Sequence, residues 1–295
     1  MLVVISDLHF TEERTDAIAG ERGRLDPVVR NLGPRAFQAF FDTLARQAVR
    51  DDAREVHLVL AGDIFDLHRT GLWFRGTERP WVANDHVGPE LEARTLSILD
   101  AIAVEDAVSG SLEAIRRFAG GRYRDPASGR TRSFPVPVRL SFIPGNHDRL
   151  IGATPALRRR ARELLGIGGG TSPFPHTVLS EAEETLIRHG HEYDRYNFSR
   201  DLSRRKTMPP LDEAAYARPT LGDFITVAVA ARLPVLFREV HGDGKILSRP
   251  ALGALYRRLL AFDDLRPQSA LLEYLLAGAR ASGGASRTWK ALEPV

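Results

Sequence analysis

Four short apolar runs, residues 2–5, 56–60, 138–143 and 185–187, each end in a polar loop that carries groups able to bind metal. Continuous apolar runs of this length suit strands buried on both faces, as in an α/β sheet. Helical patterns lie between them. Residues 34–50 open with a proline at a first-turn position and place Phe37, Phe40, Phe41, Leu44 and Ala48 on one face. Residues 90–119 carry Leu91, Ile98, Leu99, Ile102, Leu112 and Ile115 at helical spacing and read as two helices split near Ser109-Gly110. Thr154-Pro155 starts a further helix that Gly166 ends. Strands alternating with helices predict an α/β architecture. From about Leu211 the patterns become helical (221–233, 251–262 and 269–279) with proline breaks. The expected organisation is therefore a core over residues 1–200, with an insertion at about 67–135, and a helical appendage over 201–295.

With 295 residues and a hydrophobic fraction of 43%, the chain can bury a sizeable core. There is no cysteine, which excludes disulfides, zinc ribbons and thiol nucleophiles and leaves nitrogen and oxygen as metal ligands. The formal charge is +3, and all but three of the 41 basic residues are arginine. Arginine suits a phosphorylated substrate, but these charges are spread along the chain, which favours the plainer reading of a GC-rich genome with its GC-rich arginine codons. Met1 runs straight into an apolar strand with no basic leader or cleavage site. The most apolar later stretch, 221–237, is interrupted by Asp223, Arg232 and Pro234 and reads as too broken to span a bilayer. A cytoplasmic protein is expected.

The loops carry the chemistry. Asp7 and His9 are two apart, so in an extended chain a carboxylate and an imidazole can reach one ion. In Gly62-Asp63-Ile64-Phe65-Asp66 the glycine permits close backbone approach, Asp63 can bridge two cations through its oxygens, and Asp66 can support a ligand. Gly145-Asn146-His147-Asp148 offers a neutral oxygen ligand and a histidine beside an acid, the pattern of an oriented general acid. His189-Gly190-His191 adds imidazole. Each triplet alone has a plainer reading as a helix cap, an Asn-rich turn or a structural histidine. Together, at the carboxyl ends of successive strands, they predict one site.

In this order, Asp7-x-His9, Gly62-Asp63-x-x-Asp66, Gly145-Asn146-His147-Asp148 and His189-Gly190 resemble the signature of the calcineurin-like metallophosphoesterases, over residues 1 to about 195. The resemblance implies a two-sheet sandwich flanked by helices and hydrolysis of a phosphomonoester, phosphodiester or pyrophosphate at two divalent cations (manganese, iron or zinc). It implies that Asp7 and His9 bind the first metal, that Asp63 bridges, and that Asn146 and His189 bind the second. His147 would assist the leaving group with Asp148 orienting it; the resemblance assigns His191 no role, and its place beside His189 suits a residue behind the ligands. The family pattern ends in Gly-His-x-His, which is missing here; after His191 the one histidine is His241. Either the last motif lies past Val295 or the site is degenerate and serves a scaffold. The intact earlier motifs favour the first.

Residues 67–88 follow the second motif and interleave His68, Arg69, Trp73, Phe74, Arg75, Arg79, Trp81 and His86. They would either stack a base or sugar and hold phosphate, or pack the insertion onto the body. The opening Ser-Asp-Leu-His and the His189-Gly190 pair look like UDP-2,3-diacylglucosamine pyrophosphohydrolases. On that likeness 221–237 becomes a lipid-facing cap with peripheral membrane contact, or else a core helix. The Gly-Asp-Ile-Phe-Asp and Gly-Asn-His-Asp motifs also resemble the nuclease subunit of double-strand-break repair complexes. There Arg158-Arg159-Arg160 and Arg204-Arg205-Lys206 would touch a DNA backbone, or form solvated faces. The expected partner is a phosphorylated small molecule or nucleotide-linked substrate, with nucleic acid as the alternative.

Overall fold

Three of the four apolar runs make one parallel sheet in the computed structural model, which describes residues 1–21, 23–262, 273–274 and 284–295. The strands are β1 (Leu2–Ile5), β2 (Ile18–Gly20), β3 (Gly23–Leu25), β4 (Val56–Ala61), β5 (Arg122–Arg124), β6 (Thr131–Ser133), β7 (Val138–Ile143), β8 (Val178–Ser180) and β9 (Thr185–Ile187). The sheet order is β1-β4-β7, with Val4 beside Val59 and Val59 beside Ser141. The other strands pair as antiparallel hairpins, β2–β3, β5–β6 and β8–β9. Every residue of the central strand β4 is buried, which is why its sequence shows no polar alternation. The fold is thus mixed α/β, with a parallel sheet, small hairpins and a helical C-terminal region.

Two faces of the sheet are covered differently. Val59, Ala61, Ile143 and Ile187 form one buried cluster, so the β8–β9 hairpin packs on one face. On the helical side lie α1 (Pro34–Arg50), α2 (Pro89–Ala103), α3 (Asp106–Ala119) and α4 (Pro155–Leu165). α1 packs on α3, with Phe41 and Phe118 stacked at 4.7 Å, and α3 packs on β7. The N-terminal proline of α1 and the Thr154 cap and left-handed Gly166 terminus of α4 fall where the sequence places them. The α2–α3 break does not. It comes at Val104-Glu105, and Gly110 lies inside α3. A side chain at Gly110 would meet Pro34 Cγ at 2.9 Å, so this glycine serves helix contact and not a break.

The chain divides into two units, one comprising Met1–Thr11, Arg30–Leu67 and Arg79–Leu221, the other Glu12–Val29, His68–Glu78 and Gly222–Val295. The segment 67–135, expected as one insertion, is therefore split. Residues 68–78 join the second unit, whereas α2 and α3 are part of the first, where α2 packs on α4 and α3 on α1. The first unit also runs past residue 200, because Phe198, Leu202, Ala215 and Tyr216 bury one another around α5 (Glu213–Tyr216).

The second unit contains α6 (Leu221–Ile225) from Gly222 onward, a π-helical turn (Thr226–Ala231), α7 (Arg232–His241), α8 (Asp243–Ser248) and α9 (Pro250–Leu260). Its core joins Ile18 and Leu25 of the β2–β3 hairpin to Phe237, Ile246, Leu255, Tyr256 and Leu259. Helix runs through Pro234 to His241, beyond the expected stop at 233. The wider π turn just before Pro234 accommodates the hydrogen bond that proline cannot make. By length and composition alone, Glu213–His241, with a window of mean hydropathy 1.6, can cross a membrane; 33% of that window is buried within the fold. The expected helix at 269–279 lies outside the described residues apart from Glu273 and Tyr274.

Candidate metal centre

Parallel, in-register strands bring the loops after β1, β4 and β7 to one edge of the sheet. Backbone bonds then join the first two loops beyond the strands. Asp7 N–H donates to Gly62 O (3.1 Å), His9 N–H to Asp63 O (2.9 Å), Phe10 N–H to Ile64 O (2.9 Å), and Asp66 N–H returns to Phe10 O (2.8 Å). This ladder holds three non-glycine residues at left-handed φ: Asp7 (55°), His9 (45°) and Asp63 (53°). Such conformations persist where surrounding bonds over-determine them. The motif glycines answer to crowding. A Cβ on Gly62 would lie 2.3 Å from His189 Nδ1, and one on Gly145 would lie 2.2 Å from Asp63 Oδ1.

Asp63 is the centre of the cluster and is buried. Its Oδ1 accepts the His147 N–H at 2.9 Å. Its Oδ2 lies 3.2 Å from His189 Nε2 and 3.8 Å from His9 Nε2, so a single oxygen faces both imidazoles. His9 Nε2 is 3.8 Å from Asp7 Oδ1, and His189 Nε2 is 3.3 Å from Asn146 Oδ1. Two sets converge closely enough to hold a cation: Asp7, Asp63 and His189, and His9, Asp63 and His147.

Further bonds orient the rings. Asp66, fully buried, reaches His9 Nδ1 through Oδ2 (2.9 Å) and His147 Nδ1 through Oδ1 (3.0 Å). His189 Nδ1 lies 2.8 Å from Ala61 O, a carbonyl that can only accept, so Nδ1 carries a proton and Nε2 is the nitrogen left to face Asp63 or, once deprotonated, a cation. The carboxylate that aligns His147 is therefore Asp66. Asp148, expected in that role, is fully buried and accepts backbone N–H groups of Ile64 (2.8 Å) and Gly145, so it fastens the second motif loop to the third.

The electrostatics follow from this packing. Burial alone would lower His9, but hydrogen bonds to Asp66 and Asp7 and the nearby carboxylates outweigh it and raise the imidazole to about 10. Burial likewise opposes His189, and Asp63 lifts it to about 9. His147 is raised by Asp66 and Asp63 against its burial. Burial would raise Asp63, yet His147, His189 and His9 hold it well below the carboxylate range. Asp148 is raised to about 7 by burial and by the charge of Asp63. The carboxylates and imidazoles of this compact set support one another's charge.

The fourth motif is held by residues the sequence did not single out. Glu192, buried beside His191, accepts the Gly190 N–H (3.0 Å) and the Tyr216 hydroxyl (2.9 Å). Its place directly after His189-Gly190-His191 was an available signal; Tyr216, 24 residues on, carried none. His191 sits behind His189, ring centroids 5.1 Å apart, and burial lowers it to about 4. Arg149 directly follows the third motif and is buried, with its guanidinium on Pro80 O, Val82 O, Ala217 O and Asn84 Oδ1.

Other expected candidates fall elsewhere. Arg69 belongs to the second unit, as does His241, whose Nε2 bonds Ala291 O (2.8 Å) while its ring packs on Phe237. Trp73 is fully buried, while Trp81 is half-buried in the first unit. Arg158 bonds Gly152 O and Thr171 O, and Arg160 bonds Asp100, so those two are engaged within the fold; Arg159, Arg204, Arg205 and Lys206 are exposed. No family model, curated protein or solved structure matches the chain.

Proposed function

We propose that the chain is a metal-dependent phosphoesterase of the calcineurin-like metallophosphoesterase superfamily, acting on a phosphomonoester, phosphodiester or pyrophosphate. The observation that carries this reading is Asp63 Oδ2, which lies 3.2 Å from His189 Nε2 and 3.8 Å from His9 Nε2. The donors fit the implied cations: mixed carboxylate, amide and imidazole ligands suit manganese, iron or zinc. Asp7, His9 and Asp63 would hold one ion and Asp63, Asn146 and His189 the other. Once bound, the pair would polarise the phosphoryl oxygens and acidify a water. His147, aligned by Asp66, would pass a proton to the departing oxygen. Asp66 would keep His9 and His147 in register, and Asp148 would keep their loops closed. The Asp7 side chain is 57% exposed, which leaves substrate an approach from outside. In the two-sheet sandwich this reading implies, β8–β9 would belong to the second sheet.

Manganese content after loading and desalting, measured beside hydrolysis of p-nitrophenyl phosphate and bis(p-nitrophenyl) phosphate, tests the reading. Retained manganese and manganese-dependent hydrolysis are expected, both lost in Asp63→Ala. A folded protein that cleaves neither ester, and whose metal content is indifferent to Asp63→Ala, would instead be a binding scaffold.

A further inference from the structure

Asn146 and His189 come from different loops, one after β7 and one after β9, yet their facing atoms lie 3.3 Å apart. A short segment at the end of α5, Tyr216-Ala217, connects the two loops. Arg149, one residue past the third motif, reaches it from one side and donates to Ala217 O (3.1 Å). Glu192, one residue past His191, reaches it from the other. One of its carboxylate oxygens accepts the Tyr216 hydroxyl (2.9 Å), and the second accepts the Gly190 N–H (3.0 Å). Three hydrogen bonds thus run from the third motif loop through residues 216–217 to the fourth.

Each member of this strut is itself fixed. Arg149, Tyr216 and Glu192 are 6%, 8% and 1% exposed. Arg149 also donates to Pro80 O (2.9 Å), Val82 O (3.1 Å) and Asn84 Oδ1 (2.7 Å), and the Asn84 N–H shares Ala217 O (2.8 Å). The Tyr216 ring stacks on His176, with centroids 3.7 Å apart and planes 4° from parallel, and Phe198 meets it at 5.4 Å. Asp212 caps α5 on the Ala215 N–H (2.9 Å). Burial and the charge of Glu192 hold the Tyr216 hydroxyl well above the ordinary phenol value, so it stays protonated and donates. A guanidinium or carboxylate buried this deeply is costly once it loses its partners, so these bonds hold the two loops against each other.

We propose that Arg149, Tyr216 and Glu192 are positioning residues, a strut that sets the separation of Asn146 from His189 and so tunes the affinity of the cation position those two share. A cation needs its ligands at fixed separations, and groups that orient ligands change metal affinity about 10–100-fold when removed. The strut itself stands on the hydrogen bonds above. Its effect on a cation rests on the phosphoesterase reading.

Two measurements on the full chain test it, in Arg149→Met, Tyr216→Phe and a control, Arg116→Met, which loses a bond to Leu164 O far along the sequence from the motifs. The first is amide hydrogen exchange without metal, scaled to the amides of β4. Arg149→Met should speed exchange at Gly190 and Tyr216→Phe should speed it at His147, each about tenfold, so that a cut is felt in the loop it does not touch. Arg116→Met should do neither. Effects confined to the altered residue's own loop, or shared by the control, overturn the proposal. The second is manganese titration. Arg149→Met and Tyr216→Phe should each weaken manganese about 10–100-fold, and Tyr216→Phe should have no further effect once Asn146→Ala has removed the ligand it positions. Losses that simply add to that of Asn146→Ala overturn the role at the cation. A parent chain that holds no manganese and cleaves neither ester sinks the phosphoesterase reading and this cation role with it, while the exchange result still decides whether the strut exists.

Discussion

The two units use the same residue types for opposite ends. In the first, histidines face carboxylates at the end of a parallel sheet; in the second, His241 bonds a backbone carbonyl and leans on Phe237. Trp81 lines an open cleft, whereas Trp73, eight residues earlier, is fully buried. Arg149 ties loops beside the candidate metal centre, whereas Arg238 pairs with Asp243 and bonds Thr15 O in a helical core. Residue type alone therefore does not mark function. What marks it is the delivery of several polar groups to one edge by strands whose own side chains are buried.

The sharpest way to break this comparison is to exchange the two kinds of histidine and acid. Asp63→Ala should abolish retained manganese and lower phosphoesterase turnover by about 10³-fold or more, because one carboxylate serves both positions. His241→Ala should leave metal content and turnover unchanged. Elemental analysis beside a p-nitrophenyl phosphate assay reads both, and a metal loss in His241→Ala would refute the division of labour. Next, His147→Gln should cut kcat by about 10²–10⁴-fold, as for loss of a proton donor, and retained manganese in that variant would separate this role from one in which His147 joins His9 and Asp63 as a ligand. Full activity in that variant would remove His147 from the chemistry.

Stability in the second unit should respond without a change in metal affinity. Phe237→Ala is expected to cost about 3–5 kcal/mol, the range for emptying a buried aromatic site, measured by urea denaturation. A matching loss of manganese affinity in the folded protein would show that the units are not separate in function. Smaller effects distinguish the two buried aspartates. Asp66→Asn should lower metal affinity or turnover about 10–100-fold by releasing His9 and His147. Asp148→Asn should mainly lower stability, by about 1–3 kcal/mol, because it disturbs two buried backbone bonds. Equal kinetic profiles for the pair would erase the distinction.

The smallest effect expected is a pH dependence from His57, buried in β4 between Ser141 and Arg139. Burial, and then the charge of Arg139, lower its pKa from the ordinary value of 6.5. The unfolded chain therefore binds more protons there, so this contribution is intact above about 6.5 and is lost as pH falls below it. His57→Gln should flatten the fall in urea midpoint between neutral and mildly acidic pH; an unchanged slope would clear His57 of the effect.

The convergence of the candidate ligand loops was legible because each is short and adjoins its strand, so sequence neighbours remain neighbours in space. Asp66 falls in the supporting place that the sequence suggested, against His9, but that it and not Asp148 also aligns His147 was not legible, since both sit three residues or fewer from a candidate ligand and only the turn geometry decides which passes beneath the imidazoles. Arg149 looked like one arginine among many, and its importance lies in carbonyls more than 60 residues away. The β2–β3 hairpin was missed for a related reason: its apolar partners, Phe237 and Leu255 among them, lie over 200 residues on. Gly110 misled because glycine in a helix usually weakens it, and here Pro34 leaves no room for a side chain.

The left-handed backbone of Asp7, His9 and Asp63 has an evolutionary consequence. Glycine would adopt those angles without the penalty an L side chain incurs, which is of order 1 kcal/mol or more per residue. That relief is offset where the side chain is itself bonded, as Asp63 is to the His147 N–H, so selection for heat tolerance alone would favour glycine most at Asp7, the exposed member of the candidate set. In a laboratory screen for thermal resistance, glycine at residue 7 should be enriched and inactive together, a conflict between robustness and chemistry written into one backbone angle.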